Sequence, residues 1–363
     1  VDIRNLFRKD HNSLNPYIPV LSPESLAKLG GESAGRIIKL NANENPYGPS
    51  PRVKEELGKY QEYNIYPDAE QTLLREALSK YVGVSSKYIL AGAGADEIID
   101  LILRAILEPG DTVIDCPPTF GMYSFSTYIN GGEVISVPRD ISFNVNIDSI
   151  KNALRDNTKA IFIASPNNPT GNLILKNEVL GLLDLGILVV IDEAYCEFSG
   201  HTMVDLISKY QNLIILRTAS KWCGLAGLRI GYGIMDPIIL QRLMDIKQPY
   251  NINSAAEIAL IASLGDLEYL KNNVSLIIEG RDKLFQRLLN IEGIYPYPSY
   301  GNFILCHLSQ CNAKEIYAKL ANLGIFVRYF DLPEISSCLR ISIGTPEQMD
   351  VLIESLSSII SGN

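Results

Sequence analysis

Two hydrophobic rhythms alternate through the first two thirds of the chain. Short apolar runs of strand length are each followed by a turn and then by a stretch with the spacing of a helix face. SKYILAGAGADEIIDLILRAIL (86–107) reads as a strand, a glycine turn and a long amphipathic helix. DTVIDCPP (111–118) is a short strand closing on a Pro-Pro turn, with TFGMYSFSTYI after it. KAIFIASPNNPTG (159–171) is a strand that runs into a turn dense in Asn and Pro. LGILVVIDEAYCEF (185–198) and LIILR (213–217) carry Val, Ile and Leu without polar alternation, as strands covered on both faces do. Two helices precede them, at PRVKEELGKY (51–60) and at EQTLLREALSKYVG (70–83), the second stopping at Gly83.

After Asn253 the rhythm changes. A long helical tract (254–290) gives way to NFILCHL (302–308), IFVRYF (325–330) and CLRISIG (338–344), three short strands with a helix at 312–323 among them. Residues 1–40 are a polar, Pro-containing lead-in with one helix expected after Ser22-Pro23, and LNPYIP (14–19) reads as an arm lying on another surface. The pattern predicts an α/β fold. Residues 41–253 form a large domain with a mainly parallel sheet flanked by helices, 254–363 a smaller α+β domain, and 1–40 an arm with part of the small domain.

Charge narrows the functions open to such a fold. With 32 Lys and Arg against 41 Asp and Glu the net charge is −9, and a nucleic-acid partner needs a basic footprint that this chain lacks. The six cysteines (Cys116, Cys196, Cys223, Cys306, Cys311, Cys338) and three histidines (His11, His201, His307) show no metal-ligand spacing, so no metal is expected. No apolar run approaches the ~18 residues a membrane span needs, and no basic-then-apolar leader opens the sequence. Reduced cysteines and this composition predict a cytoplasmic protein.

The chemistry concentrates at strand ends. Ser220-Lys221 lies just past LIILR, and Arg229 follows eight residues on. Ligands in open α/β sheets bind at such ends, where a desolvated lysine can lose its proton and attack a carbonyl. The hydroxyls and Arg229 make a phosphate seat, and a lysine beside such a seat suggests pyridoxal phosphate. Taken alone, the Ser-Lys pair reads first as a surface turn with a solvated lysine. Gly92-Ala93-Gly94 before a helix opening on Ala95 and Asp96 offers unpaired N–H groups to an anion. Asp192 closes an apolar strand and needs a ligand cation or an arginine. Phe120 stands where a flat ligand could stack, although by itself it reads first as a packing aromatic. Asn167-Asn168-Pro169 is a turn whose Asn could reach a ligand. Arg340 interrupts an apolar strand and wants an anion, either a ligand's or a structural carboxylate. Tyr66, before Pro67, is biased to extended backbone.

SPNNPTG, IDEAY, TASK…LAGLR and LRISIG, in this order, resemble the class I/II pyridoxal-phosphate-dependent aminotransferases of fold type I. NANENPYGP, YPD, GADE, PPTFGMY and CLRISIGT look like the histidinol-phosphate aminotransferase family, over essentially the whole chain. The resemblance implies a homodimer that moves an amino group from glutamate to imidazole acetol phosphate, a step of histidine biosynthesis. It implies that Lys221 carries the cofactor and moves the proton, and that Asp192 pairs with the pyridine nitrogen. Asn168 and Tyr195 would bond the ring hydroxyl, and Phe120 would stack where relatives often carry Tyr. Ser220, Arg229 and the N–H groups of Ala95 and Asp96 would hold the phosphate, with Tyr66 reaching it from the partner subunit. Tyr17, Asn43, Arg328 and Arg340 would line the substrate end. An aromatic amino-acid aminotransferase and a threonine-phosphate decarboxylase are the rival activities on the same scaffold. A non-catalytic regulatory domain is a third reading, but no basic DNA-binding stretch stands in residues 1–40. Trp222, beside the lysine, is expected to be core packing.

Overall fold

A computed structural model describes residues 1–8, 19, 25 and 37–362. Tyr17, the helix expected after Ser22-Pro23 and most of the arm at 14–19 lie outside the described residues. Thirteen strands follow in chain order among the described residues: β1 (Ile38–Lys39), β2 (Ile89–Gly92), β3 (Thr112–Asp115), β4 (Glu133–Ser136), β5 (Thr158–Ala164), β6 (Leu188–Asp192), β7 (Leu213–Thr218), β8 (Gly231–Met235), β9 (Ile294–Pro296), β10 (Phe303–Leu308), β11 (Ile325–Phe326), β12 (Arg328–Tyr329) and β13 (Cys338–Ser342).

Seven of them form one sheet in the order β2-β8-β7-β6-β5-β3-β4. The pairs from β4 through β7 are parallel, and β8 runs antiparallel to β7 and β2. The sheet is therefore mainly parallel, and the apolar runs explain why. Alternate residues of a strand point to opposite faces, and here both faces are covered. Phe162, Val190, Ile214 and Leu216 share one core with Ile98, Ile102 and Leu103 of the helix Ala95–Ile106. Ile161, Ile163, Val189, Ile191 and Ile215 belong to the core on the opposite face. A strand buried on both sides has no polar side to show, which is what ILVVID and LIILR display.

The later strands build a four-stranded antiparallel sheet, β12-β13-β10-β9, and a two-stranded parallel pairing of β1 with β11. Two expectations need correction. IFVRYF is not one strand: it divides at Val327, Ile325 and Phe326 pairing with Ile38 and Lys39 while Arg328 and Tyr329 pair with Arg340 and Leu339. Phe326 and Val327 are both buried, so the hydrophobic pattern gave no sign of a change of partner. The helical tract after Asn253 is two helices, Ser254–Leu264 and Leu267–Leu289. The break has partners: the Asp266 carboxylate accepts from Ser50 Oγ, and the Gly265 carbonyl accepts from Arg52 at 2.7 Å.

Residues next to the sheet's carboxyl edge are tied together by a buried ion pair. Arg217 of β7 donates to Glu193, just past β6, at 2.9 and 3.1 Å, and both residues are buried. Thr202 Oγ1 and the Met203 N–H also donate to Glu193. Arg217→Met leaves the Glu193 carboxylate buried without its cation, and a loss of about 3–5 kcal/mol of unfolding free energy is expected. Urea denaturation checks it; the double variant Arg217→Met, Glu193→Met should lose less than the sum of the two single variants.

Candidate active site

Each parallel strand delivers its chemistry at the same edge. Ala164 of β5 pairs with Asp192 of β6, and Asp192 pairs with Leu216 of β7, so the turns after these strands open side by side. The turn after β5 carries Asn168, the end of β6 is Asp192, and Ser220-Lys221 follow β7.

Asp192 is buried, and each of its oxygens has a donor. Tyr123 Oη donates to Oδ2 at 2.6 Å and the Ala194 N–H to Oδ1 at 2.9 Å. Burial pushes the carboxyl up to about 6, against the pull of the Tyr123 and Ala194 bonds. Burial and the neighbouring carboxylate raise the Tyr123 phenol well above its ordinary value, so it stays protonated and donates. Sequence reading missed Tyr123, which looks like one more aromatic on an amphipathic helix. The buried face of that helix carries three hydroxyls, those of Tyr123, Ser126 and Thr127, so the role of Tyr123 is legible only once Asp192 is known to sit opposite. Phe120 meets Tyr123 edge-on with centroids 5.6 Å apart, and Tyr123 in turn stacks on Phe162.

Lys221 is half-buried, and its Nζ donates to the Ala42 carbonyl at 2.9 Å. Burial lowers its pKa to about 8, helped by the Arg340 and Arg229 guanidiniums and opposed by Glu44 and Asp96. A neutral amine is therefore accessible near physiological pH. Trp222, next in sequence, is buried and stacks on Tyr81 with centroids 5.0 Å apart, so it packs as expected.

The loop 41–43 joins the lysine to the second sheet. Arg340 Nη2 donates to the Asn41 carbonyl at 2.7 Å, and its Nη1 to Asn168 Oδ1 at 2.6 Å. Asn43 Nδ2 donates to Tyr195 Oη at 2.9 Å, while Asn43 Oδ1 accepts from Ser342 Oγ at 2.8 Å. Asn43, Asn168, Tyr195, Lys221 and Arg340 thus belong to one contiguous network. Arg328 faces Arg340 across β12 and β13, and both guanidiniums lie 5.5 Å from the Phe330 ring centroid. Aligned residues on neighbouring antiparallel strands share a face.

A second cluster lies at the start of the helix Ala95–Ile106. Gly94 has φ +82, and a Cβ there would stand 2.6 Å from Arg229 Nη2. A Cβ on Gly231 would stand 2.5 Å from the Ala95 nitrogen. Glycine at both positions lets the helix terminus, Arg229 and the end of β7 close on one another. Arg229 bridges to Asp96 at 2.9 Å on an exposed surface, and the buried Ser220 Oγ accepts from Thr218 Oγ1 at 3.0 Å. Tyr66 stands apart from these contacts: it is 77% exposed and stacks on Tyr250 with centroids 4.5 Å apart.

Comparison with known proteins places this geometry. The family model for aminotransferase class I and II matches residues 35–356. The histidinol-phosphate aminotransferase of Dehalococcoides mccartyi is 47% identical over 358 residues, covering 99% of both chains. The chloroplastic histidinol-phosphate aminotransferase 1 of Arabidopsis thaliana is 45% identical over 355 residues, 97% of this chain and 85% of that protein. The crystal structure of histidinol-phosphate aminotransferase from Sinorhizobium meliloti in complex with pyridoxal-5'-phosphate superposes with a TM-score of 0.89 at 28% identity, covering 98% of each chain. The chain belongs to the class I and II aminotransferase family.

Proposed function

We propose that this chain is a pyridoxal-phosphate-dependent aminotransferase that exchanges an amino group between L-histidinol phosphate and 2-oxoglutarate. The observation that carries the substrate choice is the pairing of Arg328 with Arg340 across β12 and β13. Two guanidiniums on one face suit a phosphate dianion, because each fork contributes charge-assisted hydrogen bonds. A carboxylate is also within the reach of such a fork, so one site serves both glutamate and the phosphate monoester. Full-length relatives bearing that activity in their names support the reading.

The residues present fit pyridoxal phosphate. A lysine with a lowered pKa, a buried carboxylate held by two donors, and a glycine-lined helix start beside an arginine match its aldehyde, its ring nitrogen and its phosphate. Bound there, the cofactor supplies an electron-poor ring that accepts the pair released at the substrate Cα. Lys221 is its attachment point, and the lysine's Nζ is the base that takes the Cα proton and later returns it. Asp192 holds the ring nitrogen protonated. Asn168 and Tyr195 orient the ring hydroxyl, and Phe120 covers a ring face. Ser220, Arg229 and the N–H groups of Ala95 and Asp96 hold the phosphate. Asn43, Arg328, Arg340 and Tyr17 bind the substrate, Arg340 taking its anion.

The same reading makes the working unit a cytoplasmic homodimer in which Tyr66 reaches the partner's cofactor phosphate. Tyr63, Ile65, Tyr66 and Tyr250 are exposed large side chains, and a second copy of this chain is the occupant that would cover them. It also divides the chain into an arm (1–40), a large cofactor domain (41–253) and a small domain (254–363). Among the described residues no helix is long and apolar enough to cross a membrane.

Three measurements test the assignment. Covalent capture of pyridoxal phosphate by the apoprotein needs the neutral amine, so its rate should rise with pH through about 8 and level off above; a rise centred near the ordinary lysine value contradicts the role of Lys221. Tyr123→Phe removes a bond that favours the Asp192 carboxylate, so the acidic limb of cofactor affinity, near pH 6 in the wild type, should move to higher pH; an unmoved limb counts against Asp192 as the partner of the ring. Arg328→Ala should lower kcat/KM for histidinol phosphate roughly 10- to 100-fold, the size of one lost charge-assisted hydrogen bond, and affect glutamate less. Equal losses in the two half-reactions would favour the aromatic aminotransferase instead.

A further inference from the structure

The segment leading into the helix Thr72–Val82 contains a buried residue with an unusual backbone. Gln71 has φ +58, left-handed for a residue that is not glycine, and is 2% exposed. Non-glycine residues are held in this region only where surrounding contacts over-determine them. The contacts are specific. Gln71 Oε1 accepts from the Ala91 N–H at 3.0 Å and Gln71 Nε2 donates to the Ala91 carbonyl at 3.0 Å. The side-chain amide thereby bonds both polar groups of Ala91 on β2, the outermost strand of the seven-stranded sheet. Nε2 also donates to Asn251 Oδ1 at 2.9 Å, which fixes the amide's orientation.

Ala91 is the last residue before the glycine turn. Beyond it, the Ala93 N–H donates to Glu97 Oε2 at 2.6 Å, and Asn251 Nδ2 donates to the same oxygen at 2.8 Å and to the Ala91 carbonyl at 3.2 Å. Gln71, Asn251 and Glu97 thus grip both ends of the turn that presents the N–H groups of Ala95 and Asp96. The gripping segments are themselves pinned. Lys247 Nζ donates to the carbonyls of Ala69, Gln248 and Pro249 at 2.9, 3.3 and 3.0 Å. Tyr66 and Tyr250, stacked on each other, lie on these two segments.

We propose that Gln71 is a positioning residue for the cofactor phosphate: its side-chain amide sets the turn 91–94 so that the N–H groups at the start of the helix Ala95–Ile106 converge on one anion. The proposal rests on the pyridoxal phosphate reading and adds to it a residue with no part in the chemistry. Gln71 touches the turn and not the phosphate, so its loss should weaken phosphate recognition while leaving the attachment lysine in place.

The discriminating experiment compares pyridoxal phosphate with pyridoxal, which lacks the phosphate, on apoprotein prepared from the full chain. Gln71→Gly removes the amide and relieves the left-handed backbone; Gln71→Glu keeps the shape and an acceptor for Ala91 N–H but loses both donated bonds. The wild type should prefer pyridoxal phosphate over pyridoxal. Both variants should lose about tenfold or more of that preference, about 1.4 kcal/mol, with pyridoxal affinity unchanged and the ³¹P resonance of bound cofactor shifted toward that of free cofactor. Melting temperatures of the apoproteins separate this from general damage, since damage lowers both affinities together. Wild-type preference retained in Gln71→Gly and Gln71→Glu, or equal losses for the two ligands, overturns the proposal. A wild type that captures neither aldehyde at Lys221 sinks the cofactor reading itself, which is a different result.

Discussion

Much of this molecule hangs on where three successive residues, 41–43, direct their polar groups. The Asn41 carbonyl accepts from Arg340, the Ala42 carbonyl accepts from Lys221, and the Asn43 side chain spans Tyr195 and Ser342. Such a loop is hard to replace by another route. Buried cations need acceptors, and two of them take theirs from adjacent peptide units of one irregular segment. Its leading end is fixed as well: the Leu40 N–H donates to the Phe326 carbonyl at 2.7 Å and the Leu40 carbonyl accepts from the Ser342 N–H at 2.9 Å. The lysine follows β7 and the arginine stands on β13 of a different sheet, and this segment, hydrogen-bonded to both, gives them a common geometry.

The same logic explains the use of polar residues at the sheet edge. A parallel sheet covered on both faces spends its strand interiors on Val, Ile and Leu, which leaves chemistry to the strand ends and the turns after them. Asp192 closes β6, and the Ser-Lys pair follows β7. Glu193 and Arg217 form the buried pair beside them, so Asp192 lies at the candidate site while its neighbour in sequence ties the scaffold. Asn167 and Asn168 divide in the same way. Asn167 bonds Pro118, Thr119 and Thr170 and shapes the turn, whereas Asn168 accepts from Arg340.

What could be read in advance follows from this division. Apolar runs of strand length identified the parallel sheet, and charge at the end of such a run (Asp192), just past one (Lys221) or inside one (Arg340) singled these residues out, because charge among apolar neighbours is conspicuous. Tyr123 and Gln71 were not legible. Each is an ordinary residue of its helix or loop, and its importance lies in the partner that folding brings opposite it, 69 residues away for Tyr123 and 20 for Gln71. The division of 325–330 between two sheets was hidden for a related reason. Pairing partners are chosen by the strands that arrive alongside, and nothing in the run itself marks the change at Val327. The helix break at Gly265-Asp266 carried a glycine as its only local mark, and its use as an anchor for Ser50 and Arg52 depends on a loop more than 200 residues earlier.

The electrostatics of Lys221 also couple it to the anions that the site would hold. Burial and two guanidiniums, Arg340 and Arg229, favour the neutral amine. An amine in that state is a nucleophile, which suits capture of an aldehyde. Anions that settle on either arginine cancel part of the positive field, and the pKa of the lysine then rises. On the proposed reading, the cofactor phosphate neutralises Arg229 and the substrate anion neutralises Arg340. A filled site would also deepen the burial that is the largest cause of the lowering, so the two effects oppose one another at Nζ. Anion recognition and the protonation of Lys221 are thus coupled through the same pair of charges.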